Sequence, residues 1–253
     1  MKKFIIALDL DNTLLNSKGK ISTKTLKKLV ALDKNKYVIA ISTTRGYAHC
    51  VDIEKKIDAD YVCCQSGNMI VKSGKVIYKN PFSTKQINDF VKSFSSFTDE
   101  IYIDTADDGL LGKVTDYAKE WNVKECSLND LSKHEAYKVS VRYTQETKDQ
   151  IEDYCRQHDF VCRPFIGGDY FLITQSKSDK FFALKRVLKM EKTDLDHLIV
   201  FGDDSSDLLS IQKAKYGVAM DNAKEIVRKD ASFVTKSNDN DGIAYFFDKI
   251  FDK

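Results

Sequence analysis

"KFIIALDLDNTLLNS", residues 3–17, sets five consecutive apolar residues directly against two aspartates. Phe4 to Leu8 form a continuous apolar run, the pattern of a strand covered on both faces, as in a parallel sheet. On an extended chain residues i and i+2 point to the same side, so the carboxylates of Asp9 and Asp11 start as neighbours. Two like charges at the end of a buried strand call for a counter-charge, most simply a divalent cation held by oxygen ligands. A helix cap or turn beginning at Asp11 or Asn12 is the plainer alternative.

The chain around this stretch has 253 residues, enough for one large domain or two modest ones. Apolar residues make up 42% and charged residues 31%, a globular rather than a disordered composition. Lys plus Arg number 40 against 38 Asp plus Glu, so no global field points to nucleic acid or to an anionic membrane. The apolar run after Met-Lys-Lys is too short for a signal peptide, and no stretch approaches the ~20 apolar residues of a membrane span. A cytoplasmic location is the expectation. Cys50, Cys63, Cys64, Cys126, Cys155 and Cys162 form no C-x-x-C pair and read as small hydrophobes rather than a zinc site or disulfide framework.

Periodicity organises the remainder. "STKTLKKLVALDKNK" is a helix with Ser22 or Thr23 as cap, and "YVIAIST" is a second buried strand, which makes a right-handed βαβ unit. A helix from Tyr47 to Asp58, the strand "YVCC" and a hairpin turning at Ser73-Gly74 follow. Beyond Pro81 the style changes, with half-buried alternation in "EIYID", "AYKVSVRY", "FVCRPF" and "DYFLIT" and helices at "STKQINDFVKSFSSF" and "TQETKDQIEDYCRQH". The last two strands are expected to pair through Gly167-Gly168. From "KFFALKRVL" onward buried strands and helices return, ending in one closing helix, "GIAYFFDKIF". The expected fold is α/β, a doubly wound, Rossmann-like parallel-sheet core made from residues 1–81 and 179–253. An open, largely antiparallel α+β cap domain, residues 82–178, is inserted into it.

"HLIVFGDDSSDLL" repeats the logic of the opening. A buried strand ends at Gly202, and Asp203 and Asp207 stand at i and i+4 where a helix begins. Ligands of open α/β sheets sit outside the carboxyl ends of the strands. Four aspartates at two such ends form an oxygen-rich site suited to magnesium, with Asp204 readable as a solvated helix-start residue. "AISTTRGYAH" adds Thr43, Thr44 and Arg45 at a strand end, donors placed for phosphate, although such hydroxyls often merely cap a helix. Lys180 opens a helix, at the end where the helix dipole disfavours a cation.

D-x-D-x-T (Asp9, Asp11, Thr13), Thr43, Lys180 and G-D-D-x-x-D (Gly202 to Asp207) occur in the order of the four motifs of the haloacid dehalogenase superfamily phosphatases. "YGVAMDNAKEIVRKDASFVTKSNDNDGIA" is similar to the closing segment of the Cof-type branch, whose members carry an inserted α/β (type IIB) cap. The resemblance covers the core; the cap matches in size and strand pattern only. Many relatives have glycine where Asn12 and Thr44 stand, and asparagine where Ser206 stands.

The resemblance implies that Asp9 is the nucleophile and Asp11 the general acid and base. It implies that Asp9, the main-chain carbonyl of Asp11, Asp203 and Asp207 hold Mg2+, and that Thr43, Thr44, Lys180 and Asn222 bind phosphate, with Arg45 on the substrate. The expected function is a magnesium-dependent phosphatase acting on a small phosphorylated metabolite, such as a sugar phosphate, through an aspartyl-phosphate. A phosphomutase and a catalytically silent phosphometabolite-binding module are the alternatives. "RPFIGGDYF" is the candidate for substrate selection, or else a plain hairpin turn.

Overall fold

The computed structural model describes residues 2–106, 109–119, 122–164 and 169–251. It divides into two compact units, Met1–Arg45, His49–Tyr78 and Asp179–Lys253 in the first, and Gly46–Ala48 and Lys79–Ser178 in the second.

The first unit begins with β1 (Phe4–Leu8), α1 (Thr23–Val30), β2 (Tyr37–Ser42), α2 (Val51–Ile57) and β3 (Tyr61–Cys64), followed by β4 (Met69–Lys72) and β5 (Lys75–Lys79). Ser22 caps α1, its hydroxyl accepting from the Thr25 amide at 3.1 Å. Ser73 (φ 49°) and Gly74 (φ 73°) are both left-handed, the backbone that a two-residue hairpin between β4 and β5 requires.

The second unit holds α3 (Thr84–Phe94), β6 (Ile101–Thr105), β7 (Leu110–Gly112), α4 (Asp116–Lys119), β8 (Lys124–Glu125), β9 (Ala136–Arg142), α5 (Lys148–Gln157), β10 (Phe160–Pro164) and β11 (Tyr170–Gln175). The chain then returns to the first unit through α6 (Lys180–Met190), β12 (Leu198–Gly202), α7 (Leu208–Lys213), β13 (Tyr216–Ala219), α8 (Glu225–Asp230), β14 (Phe233–Val234) and α9 (Gly242–Phe246).

The first unit's sheet runs β14-β13-β12-β1-β2-β3-β4-β5. Its strands from β14 to β3 are parallel, and β4 turns back antiparallel to β3. Ile5 to Leu8, Ile39 to Ile41 and Leu198 to Phe201 are buried, so the continuous apolar runs are the centre of this sheet. The α/β doubly wound reading of the sequence holds.

In the second unit the order is β10-β11-β9-β6-β7-β8. Ile87, Phe90 and Phe94 of α3 and Ile151 and Cys155 of α5 pack with Ile101, Ile103, Val139, Val141, Phe171 and Ile173 on one face. Ala118 and Val123 cover Tyr102 and Tyr170 in a smaller cluster. Ser83 and Gln86 form a reciprocal capping box that starts α3.

The short strands β7 and β8, which the sequence did not mark, pair parallel, with the helical crossover α4 joining them. Two local expectations change. The helix expected over residues 47–58 is a short 3₁₀ turn at Tyr47–His49 and then α2, with buried Cys50 at the break. The closing helix is α-helical only over Gly242–Phe246 and widens over residues 247–251. The strands on either side of "FIGG" pair antiparallel, Pro164 opposite Phe171, while the turn at Gly167-Gly168 lies outside the described residues. No helix among the described residues is long and apolar enough to cross a membrane. The cysteines form no disulfide among the described residues, and four of the six are buried.

Candidate active site

Register brings the first motifs to one edge of the sheet. Leu8 of β1 lies opposite Ile41 of β2 on one side and Phe201 of β12 on the other, so Asp9, Thr43 and Asp203 leave the sheet at neighbouring strand ends. The Asp9 amide donates to the Phe201 carbonyl at 3.1 Å, which carries the pairing one residue past the strand. After Asp9 the chain bends through Asp11 and Asn12, and Asn12 is left-handed at φ 57°, ψ 9°. Glycine tolerates that conformation freely and asparagine is among the few other residues that adopt it readily, which accounts for Asn12 here.

Asp9, Asp203 and Asp207 each present a carboxylate oxygen, and the three oxygens lie within 4.8 Å of one another. All three residues are nearly buried. Lys180, equally buried at the first position of α6, donates its Nζ to Asp9 Oδ1 at 2.6 Å and to Asp207 Oδ1 at 2.7 Å. Asp179 caps that helix by accepting from the Phe181 amide at 2.8 Å, so the lysine is set at a rigid helix start. The Thr13 hydroxyl donates to Asp203 Oδ1 at 2.8 Å. Asp207 Oδ2 accepts from the amides of Asp203 and Asp204, each at 3.2 Å. Gly202 is required beneath it: a Cβ there would stand 2.4 Å from Asp207 Cβ.

Three buried carboxylates face one buried ammonium. Burial pushes Asp9 up to about 7, against the lowering effect of Lys180 and with repulsion from Asp207 and Asp203 adding to the rise. Asp203 is pushed up to about 6, again by burial first, with Thr13 opposing and Asp207 and Asp204 adding. Burial works against the charge of Lys180, yet Asp207 and Asp9 hold its pKa above the ordinary lysine value. An all-oxygen donor set with an excess of buried negative charge fits a hard divalent cation.

The remaining expected residues are more dispersed. The Asp11 carboxylate projects toward solvent and takes a two-point contact from Arg45, Nε to Oδ2 at 2.9 Å and a terminal guanidinium nitrogen to Oδ1 at 2.5 Å. Thr43 is fully buried, its amide donating to the Cys63 carbonyl at 2.9 Å, and Thr44 is exposed. Asn222 ties two loops together: its Nδ2 donates to the Asn12 carbonyl at 2.8 Å and its Oδ1 accepts from the Asn238 amide at 3.0 Å. Asp204 pairs with Lys224 rather than joining the carboxylate cluster.

Two contributions were not assigned from the sequence. One is the contact of Thr13, a residue of the first motif given no role there, whose hydroxyl donates to Asp203. The other is the Gln65-Ser66-Gly67 loop, left-handed at all three residues. Its Gln65 amide donates to the Arg45 carbonyl at 2.8 Å and its Ser66 amide to the Thr43 carbonyl at 3.2 Å. A Cβ on Gly67 would meet the Asp179 carbonyl oxygen at 2.3 Å, so the loop braces the end of β2 against the start of α6. Gly67 was the only signal for it in the sequence.

A sequence model of the haloacid dehalogenase-like hydrolases matches residues 6–247. The 5-amino-6-(5-phospho-D-ribitylamino)uracil phosphatase YitU of Bacillus subtilis (strain 168) is 25% identical over 270 residues, spanning 99% of this chain and 98% of its own. The phosphoglycolate phosphatase of Methanobrevibacter smithii is 23% identical, spanning 97% of each. Among solved structures, the phosphatase BT1666 of Bacteroides thetaiotaomicron has the same fold, with a TM-score of 0.85 at 19% identity over 98% of this chain and 94% of that one. A family match over nearly the whole length, on a doubly wound sheet whose strand ends gather Asp9, Asp203, Asp207 and Lys180, makes this chain a member of the haloacid dehalogenase-like hydrolase family.

Proposed function

We propose that this protein is a magnesium-dependent phosphatase that hydrolyses a small phosphorylated metabolite through a covalent aspartyl-phosphate on Asp9. The observation that carries the reading is the buried Asp9 carboxylate, held at Oδ1 by Lys180 with Asp203 and Asp207 beside it. Among the described residues no donor engages its second oxygen.

In this reading Asp9 attacks phosphorus, forming an acyl phosphate as the bond to the substrate oxygen breaks, and Asp11 gives that departing oxygen a proton. Asp11 then takes a proton from water, the water oxygen attacks the same phosphorus, and the bond to Asp9 breaks. Inorganic phosphate leaves and the Asp9 carboxylate is restored. Lys180 keeps Asp9 oriented and adds positive charge where phosphate oxygens gather. Asp9, the Asp11 carbonyl, Asp203 and Asp207 are the residues to hold magnesium, which when bound supplies positive charge against the repulsion between a carboxylate and a phosphate. Thr43, Thr44 and Asn222 are assigned to the non-bridging oxygens, and residues 82–178 to the choice of substrate.

The two relatives described above are named for different phosphate monoesters, which supports a small phosphorylated metabolite as the class and leaves the individual compound to experiment. Purified protein tested on phosphorylated sugars, nucleotides and small acids, with magnesium and with chelator, checks the proposal. Magnesium-dependent release of phosphate from at least one monoester is expected, and turnover undiminished by chelator contradicts the metal assignment.

A further inference from the structure

We propose that Arg45 is a positioning residue that fixes the carboxylate of Asp11 for proton transfer, rather than a residue that binds the substrate. The inference rests on the reading of Asp11 as the acid and base. The side chain of Asp11 is 55% exposed and follows the strand on a bend, so packing does not choose its rotamer. Among the described residues Arg45 is the only group that hydrogen-bonds its carboxylate. Proton delivery requires a group held within hydrogen-bond reach of the reacting oxygen, and a freely rotating aspartate meets that condition only part of the time. A guanidinium fork bound through two nitrogens to two oxygens fixes both the position and the plane of a carboxylate.

Arg45 can transmit a fixed position because its own backbone is held on both sides. Its amide donates to Thr43 Oγ1 at 3.2 Å, and its carbonyl accepts from the Gln65 amide at 2.8 Å. The ion pair is too exposed to contribute much to stability, so its value lies in geometry. With two of its nitrogens on the two oxygens of Asp11, the guanidinium is committed to the carboxylate rather than to a phosphate, and each oxygen keeps a second lone pair for the proton.

The test compares R45A, R45K, D11N and the double variant R45A/D11N on 4-nitrophenyl phosphate and on phenyl phosphate, whose leaving oxygen depends more on protonation. R45A is expected to lower kcat by roughly 10- to 100-fold with KM changed by less than about twofold, more severely for phenyl phosphate. R45K, able to make a single point contact, should recover part of the loss. In the D11N background R45A should cost nothing further, since there is no proton transfer left to position. A loss in R45A that persists undiminished in D11N, or a rise in KM with kcat intact, overturns the proposal and returns Arg45 to substrate binding. Full activity in D11N alone removes the acid and base reading itself, a failure distinct from the other two. Unchanged thermal unfolding of R45K and D11N confirms that the comparison is made on folded protein.

Discussion

Lys180 is shared between Asp9 and Asp207: one ammonium, buried at a helix start, lies 2.6 Å from an oxygen of the first and 2.7 Å from an oxygen of the second. It is the only cation among the described residues within ion-pair distance of either carboxylate. The end of β1, which carries Asp9, and the start of α7, which carries Asp207, are therefore joined electrostatically through a third element, α6.

Removing that charge should expose the cost of the carboxylates. Lys180→Met keeps the length of the side chain and leaves a buried carboxylate cluster uncompensated, which destabilises by about 3 to 5 kcal/mol in comparable buried pairs. Urea unfolding of the metal-free variant and parent at pH 8 should show a loss of this size. A difference near zero would mean that the lysine does not neutralise the cluster.

Metal binding should depend on pH in a defined direction. Asp9 is raised to about 7 and Asp203 to about 6 in the folded protein, both from an ordinary value of 3.8. A carboxyl raised in this way favours the metal-free fold below its unfolded value and loses that contribution as pH rises through its folded value. A cation that needs both groups ionised gains where the metal-free protein loses. The rise in Tm produced by saturating magnesium should therefore be larger at pH 8 than at pH 5.5. Equal shifts at both would argue against a site made of these aspartates.

Thr13 should act on the metal through Asp203. Thr13→Val preserves shape in a buried position and deletes the hydroxyl that donates to Asp203 Oδ1. Loss of such a supporting bond typically weakens metal binding by roughly 10- to 100-fold. Magnesium activation curves for the variant and parent measure it directly, and coincident curves would remove Thr13 from the site.

Gly67→Ala tests the brace between β2 and α6. The residue sits at φ +85°, and its added methyl would meet the Asp179 carbonyl oxygen at 2.3 Å, so either the loop or the start of α6 must move. The expected outcome is a lower Tm together with a lower kcat, since Lys180 follows Asp179 directly. Retained activity at reduced stability would show that the loop supports the fold without setting the lysine.

Much of this arrangement is visible in sequence because strand ends are marked by a change from apolar runs to charge. The runs before Asp9 and Asp203 locate the sheet edge, and Lys180 stands out through its order among the motifs, since α5 also starts on a lysine, Lys148. The partners of these groups were not legible. Arg45 meets Asp11 only because β1 and β2 are adjacent and in register, and nothing in the spacing of two residues 34 positions apart states which way either side chain turns. The Gln65–Gly67 loop escaped for a related reason: glutamine and serine carry no local signal for left-handed backbone, and the close approach of Gly67 to Asp179 is a contact between residues far apart in sequence. In the second unit the short strands β7 and β8 fell below the length at which alternation distinguishes a strand from a loop.

The central claim is that Asp9 is the carboxylate that takes the phosphoryl group, and Asp9→Asn tests it most directly. The amide has nearly the same size but is a poor nucleophile, so the variant should remain folded, with an unfolding transition as cooperative as that of the parent. Assayed with magnesium on the best monoester found for the parent, it should release no phosphate above background. Substantial turnover by a folded Asp9→Asn protein, verified by mass to contain no reverted aspartate, would contradict the covalent mechanism.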